Sequence, residues 1–150
     1  MTATVEMKLK LALETRVATL PVSHQVIWRI DGPVSPPTSG GLPAPYIEAH
    51  HLPNRNERPF IGANDPHYRH GILQLTLCWP VANIGSGSGK VHRHVLDNTA
   101  GQIAAHFPTD HPMYEDGVLS KVEKWPDIDP SYRDEPYIRI PVSVRWHSFA

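Results

Sequence analysis

The stretch from Tyr68 to Pro108 constrains the fold more than any other part of the chain. It opens on strict alternation. In extended backbone Leu73, Leu75, Leu77 and Trp79 point to one side, and Ile72, Gln74, Thr76 and Cys78 to the other. Pro80 and the glycines at 85, 87 and 89 then interrupt the pattern. From about Ser88 to Phe107 the apolar period lengthens to that of a helix, with Val91, Val95, Thr99, Ile103 and Phe107 as its stripe. Ser86 or Ser88 supplies the N-cap and Pro108 the stop. A strand that turns back into a helix through such a loop lays the apolar stripe of the helix on the apolar side of its own sheet.

The alternation returns at the C-terminal end. Ile138, Ile140, Val142, Val144 and Trp146 alternate with Tyr137, Arg139, Pro141, Ser143 and Arg145. Pro141 cannot donate to a strand ladder, which predicts an edge position or a local irregularity. At the other end Val5, Leu9, Leu13, Val17 and Leu20 predict an amphipathic helix, capped by Thr2 or Thr4 and closed before Pro21. Further strands are expected at about Gln25–Ile30, Tyr46–Leu52 and Val118–Trp125. Residues 31–45 read as a loop, and residues 53–67 as the polar tip of a long hairpin. The predicted fold is α+β, of order α-β-β-β-α-β-β. It is a single mainly antiparallel sheet of four to five strands with two helices packed on one face, and residues 1–150 form one domain.

Composition narrows the function. A net charge of −1 argues against a dedicated nucleic-acid binder, which carries a basic excess. One cysteine, Cys78, excludes an intrachain disulfide framework. Charges at Glu6, Lys8, Lys10, Glu14 and Arg16 interrupt the region where a signal peptide needs apolar residues. No run reaches the length of a membrane span. A soluble intracellular protein is expected.

Four constellations invite a chemical reading. Gly89-Lys90 resembles the end of a phosphate-binding loop, but the first glycine of that motif falls on Ile84 and the residue after Lys90 is Val91. The dinucleotide pattern starting at Gly85 and Gly87 fails because its third glycine falls on Lys90. A flexible strand-to-helix connection is the simpler reading. Ten histidines suggest metal, yet zinc needs three or four converging ligands. His50 and His51 point to opposite faces of a strand, and His92 and His94 diverge if both lie on a helix. No metal and no cofactor is expected. Cys78, in mid-strand without an activating neighbour, reads as a structural thiol. The acidic residues Asp127, Asp129, Asp134 and Glu135 sit in a proline-rich loop that reads as solvated, with no positioned acid–base pair. An enzyme is not expected.

The fourth constellation is the sheet face away from the helices. It carries Tyr46, Glu48, His50, Gln74, Thr76, Cys78, Arg139, Ser143 and Arg145. Two readings stand side by side: an ordinary solvated face, or a contact surface in a homo-oligomer.

Four segments taken in order resemble one protein family: LKLALETRVATLP, PYIEAHHLP with its charged tip, RHGILQLTLCWPVANIGSGSGKVHRHVLDNTAGQIAAHFP, and PYIRIPVSVRW. The chain resembles the tail terminator proteins of long-tailed bacteriophages, the minor tail protein U-like family, over nearly its whole length. The resemblance implies a structural virion protein of the tail or neck, assembled in the host cytoplasm. It implies a homo-oligomeric ring, typically a hexamer, that caps the head-proximal end of the tail tube and stops its polymerisation. The ring meets the tail tube protein and the head-completion or stopper protein, and DNA passes through the lumen without sequence readout. On this reading Arg55, Asn56, Glu57 and Arg58 form a partner-docking tip. Tyr46, Glu48, His50, Gln74, Thr76, Arg139 and Arg145 then form an inter-subunit or lumen face. The competing readings are another neck protein (a stopper or adaptor) and a small metal- or nucleotide-binding domain.

Overall fold

A computed structural model of the chain describes residues 3–30 and 35–150. Helix α1 (Val5–Ala18) precedes strand β1 (Gln25–Trp28), the small hairpin β2 (Thr38–Ser39) and β3 (Leu42–Pro43), and the long strands β4 (Tyr46–Pro53) and β5 (Tyr68–Pro80). Helix α2 (Arg93–Ala105) leads to the hairpin β6 (Pro112–Glu115) and β7 (Val118–Val122). The short strands β8 (Asp127–Ile128) and β9 (Tyr132–Asp134) follow, and the chain closes with β10 (Tyr137–Phe149).

The architecture is α+β, with a sheet of eight strands rather than four to five. The main order is β1-β4-β5-β10-β7-β6, antiparallel throughout except for the parallel β1–β4 pair. Strand β10 pairs with β5 along its full length, from Tyr137↔Pro80 to Phe149↔Tyr68. Its other edge is shared by β9, β8 and β7 in turn. The additional strands lie in segments read as loops, and β8 and β9 span only two and three residues, too few to show a period. The expected strand at 118–125 stops at Val122, and that at 25–30 stops at Trp28.

Strand β10 is central, so Pro141 is not at an edge. The Pro141 carbonyl accepts from the Asp129 N–H at 2.9 Å, so the imide nitrogen faces that same side, away from β5. There the partner strand is broken between β8 and β9, and no ladder bond is lost.

Both helices share one core with the inward side of the sheet. Leu9, Ala12, Leu13 and Val17 of α1 and Leu96, Ala100, Ile103 and Ala104 of α2 join Leu73, Leu75, Leu77, Val142 and Val144 in a single buried cluster. Helix α1 packs on β6 and β7, and α2 on β5, β8 and β10. Thr4 caps α1, its hydroxyl accepting from the Met7 N–H at 3.3 Å; Thr2 lies outside the described residues. Helix α2 begins at Arg93, later than expected, and its cap is His92, whose ring accepts from the His94 N–H. Ser86 and Ser88 are not caps. Val91 precedes the helix, and Val95 is 41% exposed. The reason is rotational. Four residues advance a helix by about 400°, so a strict i, i+4 ladder drifts about 40° per step. The buried stripe mixes steps of three and four instead, running through Leu96, Thr99 or Ala100, Ile103 and Phe107.

The two helices are also clamped at their C-termini. The Arg16 guanidinium donates to the His106 carbonyl at 3.0 and 2.6 Å. The His106 ring returns the contact, its Nε2 lying 2.8 Å from the Thr19 hydroxyl and 3.0 Å from the Arg16 carbonyl.

Candidate functional site

The glycine loop is closed on itself. Val91 N–H donates to the Asn83 carbonyl and Gly85 N–H to the Val91 carbonyl, which zips the base of the loop. A Cβ on Gly85 or Gly87 would lie 3.3 Å from Lys90 Cδ, so the glycines make room for the lysine stem against the loop. Gly89, at φ +75, carries the left-handed turn before the helix.

The histidines are dispersed into local roles. His50 lies on the outer sheet face and His51 on the helix side, as the strand period requires. His92 and His94 do not diverge: because His92 is a cap and not a helical residue, their rings sit 4.3 Å apart. Among the described residues no three His, Cys, Asp or Glu side chains converge as a metal site.

The outer face is more structured than a solvated surface. The strand registers align Tyr46–Cys78–Arg139, Glu48–Thr76 and His50–Gln74–Ser143 in rows across β4, β5 and β10. Arg139 organises it. Its guanidinium donates to Glu48 Oε2 at 2.9 Å and to Asp134 Oδ2 at 2.8 Å, and lies 3.3 Å from Cys78 Sγ. Arg29 approaches the other oxygen of Glu48 at 3.9 Å. Burial opposes the charge on Arg139, but the hydrogen bond to Glu48 and the neighbouring Cys78 and Tyr46 outweigh it and hold its pKa above the ordinary value. Burial pushes the Cys78 thiol up to about 11, which keeps it protonated and unreactive.

These side chains line an open groove of about 270 Å3 that gathers Glu48, His50, Gln74, Thr76 and Arg139. Two expected residues fall outside it. Tyr46 is 1% exposed and forms a small second core with Cys78 and Tyr137, so it supports the face from beneath. Arg145 is exposed and lies outside the groove. Arg29, Tyr132 and Asp134 join unexpectedly. Asp134 had been read with the solvated acidic loop, and β9 carries it to Arg139 instead. Two other acids of that loop pair locally, Asp127 with Lys124 at 3.0 Å and Glu135 with Arg133.

The hairpin tip projects as expected. Arg55, Asn56, Glu57 and Arg58 are all exposed. The backbone of Glu57 exchanges two hydrogen bonds with Tyr68 at 2.8 Å, which extends the hairpin beyond β4, and Arg58 donates to the Ile61 carbonyl.

A larger groove was not anticipated. It runs along α1 beside the ends of β1, β4 and β5, with a volume of about 580 Å3. Leu9, Lys10 and Glu14 line it on the helix side, and Trp28, His51 and Trp146 on the sheet side. The His51 and Trp146 rings lie 5.4 Å apart, and neither His51 Nε2 nor Trp146 Nε1 has a hydrogen-bond partner among the described residues. Burial pushes the His51 pKa down to about 4, with the Lys10 and His50 charges acting in the same direction. A sequence signal existed, since His51 and Trp146 both fall on core-facing positions and carry polar atoms. What the sequence lacks is the early end of β1, which opens the space.

Among the described residues neither groove holds a positioned nucleophile–base pair. A model of the phage tail terminator protein family matches residues 8–146. The chain belongs to that family. It is therefore a structural protein of the phage tail, and the tail of the virion is its place. The terminator fold also appears among solved structures. One of two matching chains is 20% identical, with a TM-score of 0.67 over 97% of this chain and 96% of that one. At that identity the likeness establishes the fold. No curated protein matches the terminator sequence. No helix among the described residues is long and apolar enough to cross a membrane.

Proposed function

We propose that the chain assembles in the host cytoplasm as a hexameric ring on the head-proximal end of the completed tail tube. There it stops tube polymerisation and joins the tail to the head-completion or stopper protein. The observation that carries this reading is the terminator family match across residues 8–146, which takes in most of α1, all of α2 and nearly the whole sheet. A net charge of −1 supports passage of DNA through the lumen without retention, because strong attraction to phosphate would slow it. The outer face, with Glu48, His50, Gln74, Thr76, Arg139 and Arg145 over the buried Tyr46, forms the wall turned toward the lumen or an adjacent subunit. Its charges are largely paired within the chain, which suits a wall that binds nothing sequence-specific.

The tip Arg55–Arg58 makes the axial contact with tube or stopper. Its charges carry no core packing, so reversal by Arg55→Glu, Glu57→Arg and Arg58→Glu leaves the melting temperature unchanged while abolishing capping. Purified tail tubes incubated with each protein and imaged by negative stain report capping directly. A strictly monomeric chain that leaves tubes uncapped would sink the ring reading. A charge-reversed chain that still caps them would remove the tip from it.

A further inference from the structure

One loop and one groove on this chain are complementary, and among the described residues nothing fills the groove. The groove beside α1 has apolar side chains at Leu9, Trp28 and Trp146. Trp146 is 2% exposed, and its indole N–H, a donor only, finds no acceptor. Strand β1 accompanies β4 only as far as Ala49, so among the described residues the edge of β4 from His50 to Pro53 has no strand beside it. An unfilled groove with an unpaired buried donor and an open strand edge is incomplete in the way a recognition site is.

The loop at the apex of the β4–β5 hairpin is the counterpart. Ile61 is 93% exposed and Phe60 47% exposed. Side chains that large stand out at the tip because the turn is pinned from within. Gly62 N–H donates to Asp65 Oδ2 at 2.9 Å, and Asp65 N–H returns to the Gly62 carbonyl at 3.2 Å. Arg58 holds the Ile61 carbonyl. A Cβ at Gly62 would come 2.5 Å from the Asp65 carboxylate, so the turn is built around that glycine. A pre-ordered apolar knob loses little conformational entropy on docking. Charge fits as well. Arg58 and Asp65 flank the knob, Lys10 and Glu14 stand one helical turn apart along the groove, and none of the four has an ion-pair partner among the described residues.

We propose that the Phe60–Ile61 knob of one subunit seats in the groove beside α1 of the next. The inference rests on the ring reading and supplies its contact. A knob that fits a hole elsewhere on the same molecule makes a head-to-tail interface, and repetition closes such an interface into a ring. The inserted loop covers the apolar side chains of the groove, and Arg58 and Asp65 meet Glu14 and Lys10. Arg55 and Glu57 lie outside the groove and stay free for the axial partner, while Arg58 serves both contacts, so the cross-link and not the Arg58 reversal tells the two apart.

Engineered cysteines test the contact, because the native Cys78 is fully buried. Ile61→Cys and Lys10→Cys chains are purified separately, mixed and oxidised. The expected result is a disulfide-linked dimer in the mixture and in neither chain alone, and a ladder of linked species from the double variant. Independently, Ile61→Asp should keep the melting temperature of the unsubstituted chain and raise the concentration needed for assembly by about tenfold or more. Rings by negative stain without the mixed cross-link overturn this contact and leave the ring reading intact. So does a cross-link of Ile61→Cys to itself, or to a tube protein. Assembly of Ile61→Asp at the original concentration also overturns it. A chain that neither self-associates nor caps tubes overturns both readings.

Discussion

Leu75→Ala tests the placement on which the rest depends. Leu75 is 0% exposed and sits at the centre of the sheet, with Ala49 opposite it on β4 and Val142 on β10. The substitution removes three carbons from the core, worth about 2.4 kcal/mol at roughly 0.8 kcal/mol each. The cavity adds to this, because Ala49 has no side chain that can swing into the space. A total of about 3–4 kcal/mol is expected, inside the range of about 2–5 for buried leucine truncations. For a chain of this size that lowers the melting temperature by about 6–16 °C. Urea unfolding followed by circular dichroism should show the midpoint falling by about 1–3 M with the slope unchanged. The measurement belongs at concentrations where the transition does not depend on protein concentration, so that subunit assembly does not enter. Gln74→Ala is the control. Gln74 neighbours Leu75 but faces the outer groove, so its loss should cost less than about 1 kcal/mol. Equal costs for the two, or less than about 1 kcal/mol for Leu75→Ala, would refute the assigned faces of β5 and with them both grooves.

Arg139→Leu should destabilise by about 2–4 kcal/mol, because the Glu48 side chain is only 12% exposed and keeps only the more distant Arg29 as counter-charge. The double variant with Glu48→Leu should recover much of that loss, and chemical denaturation of the four chains of the cycle measures it. Between pH 6.5 and 4 the unfolded chain binds a proton that buried His51 refuses, so stability falls as pH falls through that window. The His51 share is about 2 kcal/mol after allowance for partial solvent access, and His51→Phe should flatten the measured slope by nearly one proton. Glycine replacements should split in sign. Gly117→Ala, at φ +84 in the β6–β7 turn, should cost about 1–2 kcal/mol. Gly101→Ala in α2, where a new Cβ meets nothing within 4 Å, should gain about 0.5–1 kcal/mol in thermal melts.

What the residues disclosed beforehand divides along a physical line. Strands β5 and β10 were legible because their apolar side chains recur at alternate positions along thirteen residues, although the far end of β5, from Leu75 to Pro80, is buried on both faces. Helix α1 was legible because Leu9, Leu13 and Val17 do meet the core. The small hairpins were overlooked although their turns are written in the sequence. Asp116-Gly117 and Gly40-Gly41 all take positive φ, as a two-residue hairpin turn demands. Such turns carry more information than the two to five residues of strand on either side. Helix α2 was misplaced at its start because His92 is an uncommon cap and the serines before it are favourable ones. On the outer face, parity brought Glu48, His50, Gln74, Thr76 and Arg139 together correctly. No periodicity could announce Asp134, which reaches Arg139 through a three-residue strand.

The residues that looked most like chemistry turn out to be occupied. Lys90 covers the glycines of its own loop, His92 caps a helix, His106 and Arg16 tie two helix ends together, and Arg139 is satisfied by two carboxylates. A side chain whose hydrogen bonds are complete within the fold has little left to offer a ligand, because a new partner must first displace an old one. Unspent binding capacity therefore marks function better than residue type does in this chain. Among the described residues it includes the exposed Phe60 and Ile61, the buried but unpartnered indole N–H of Trp146, and the edge of β4 beyond Ala49. A knob, a groove and a strand edge equip a protein to bind other proteins, in keeping with this chain's place in the tail terminator family.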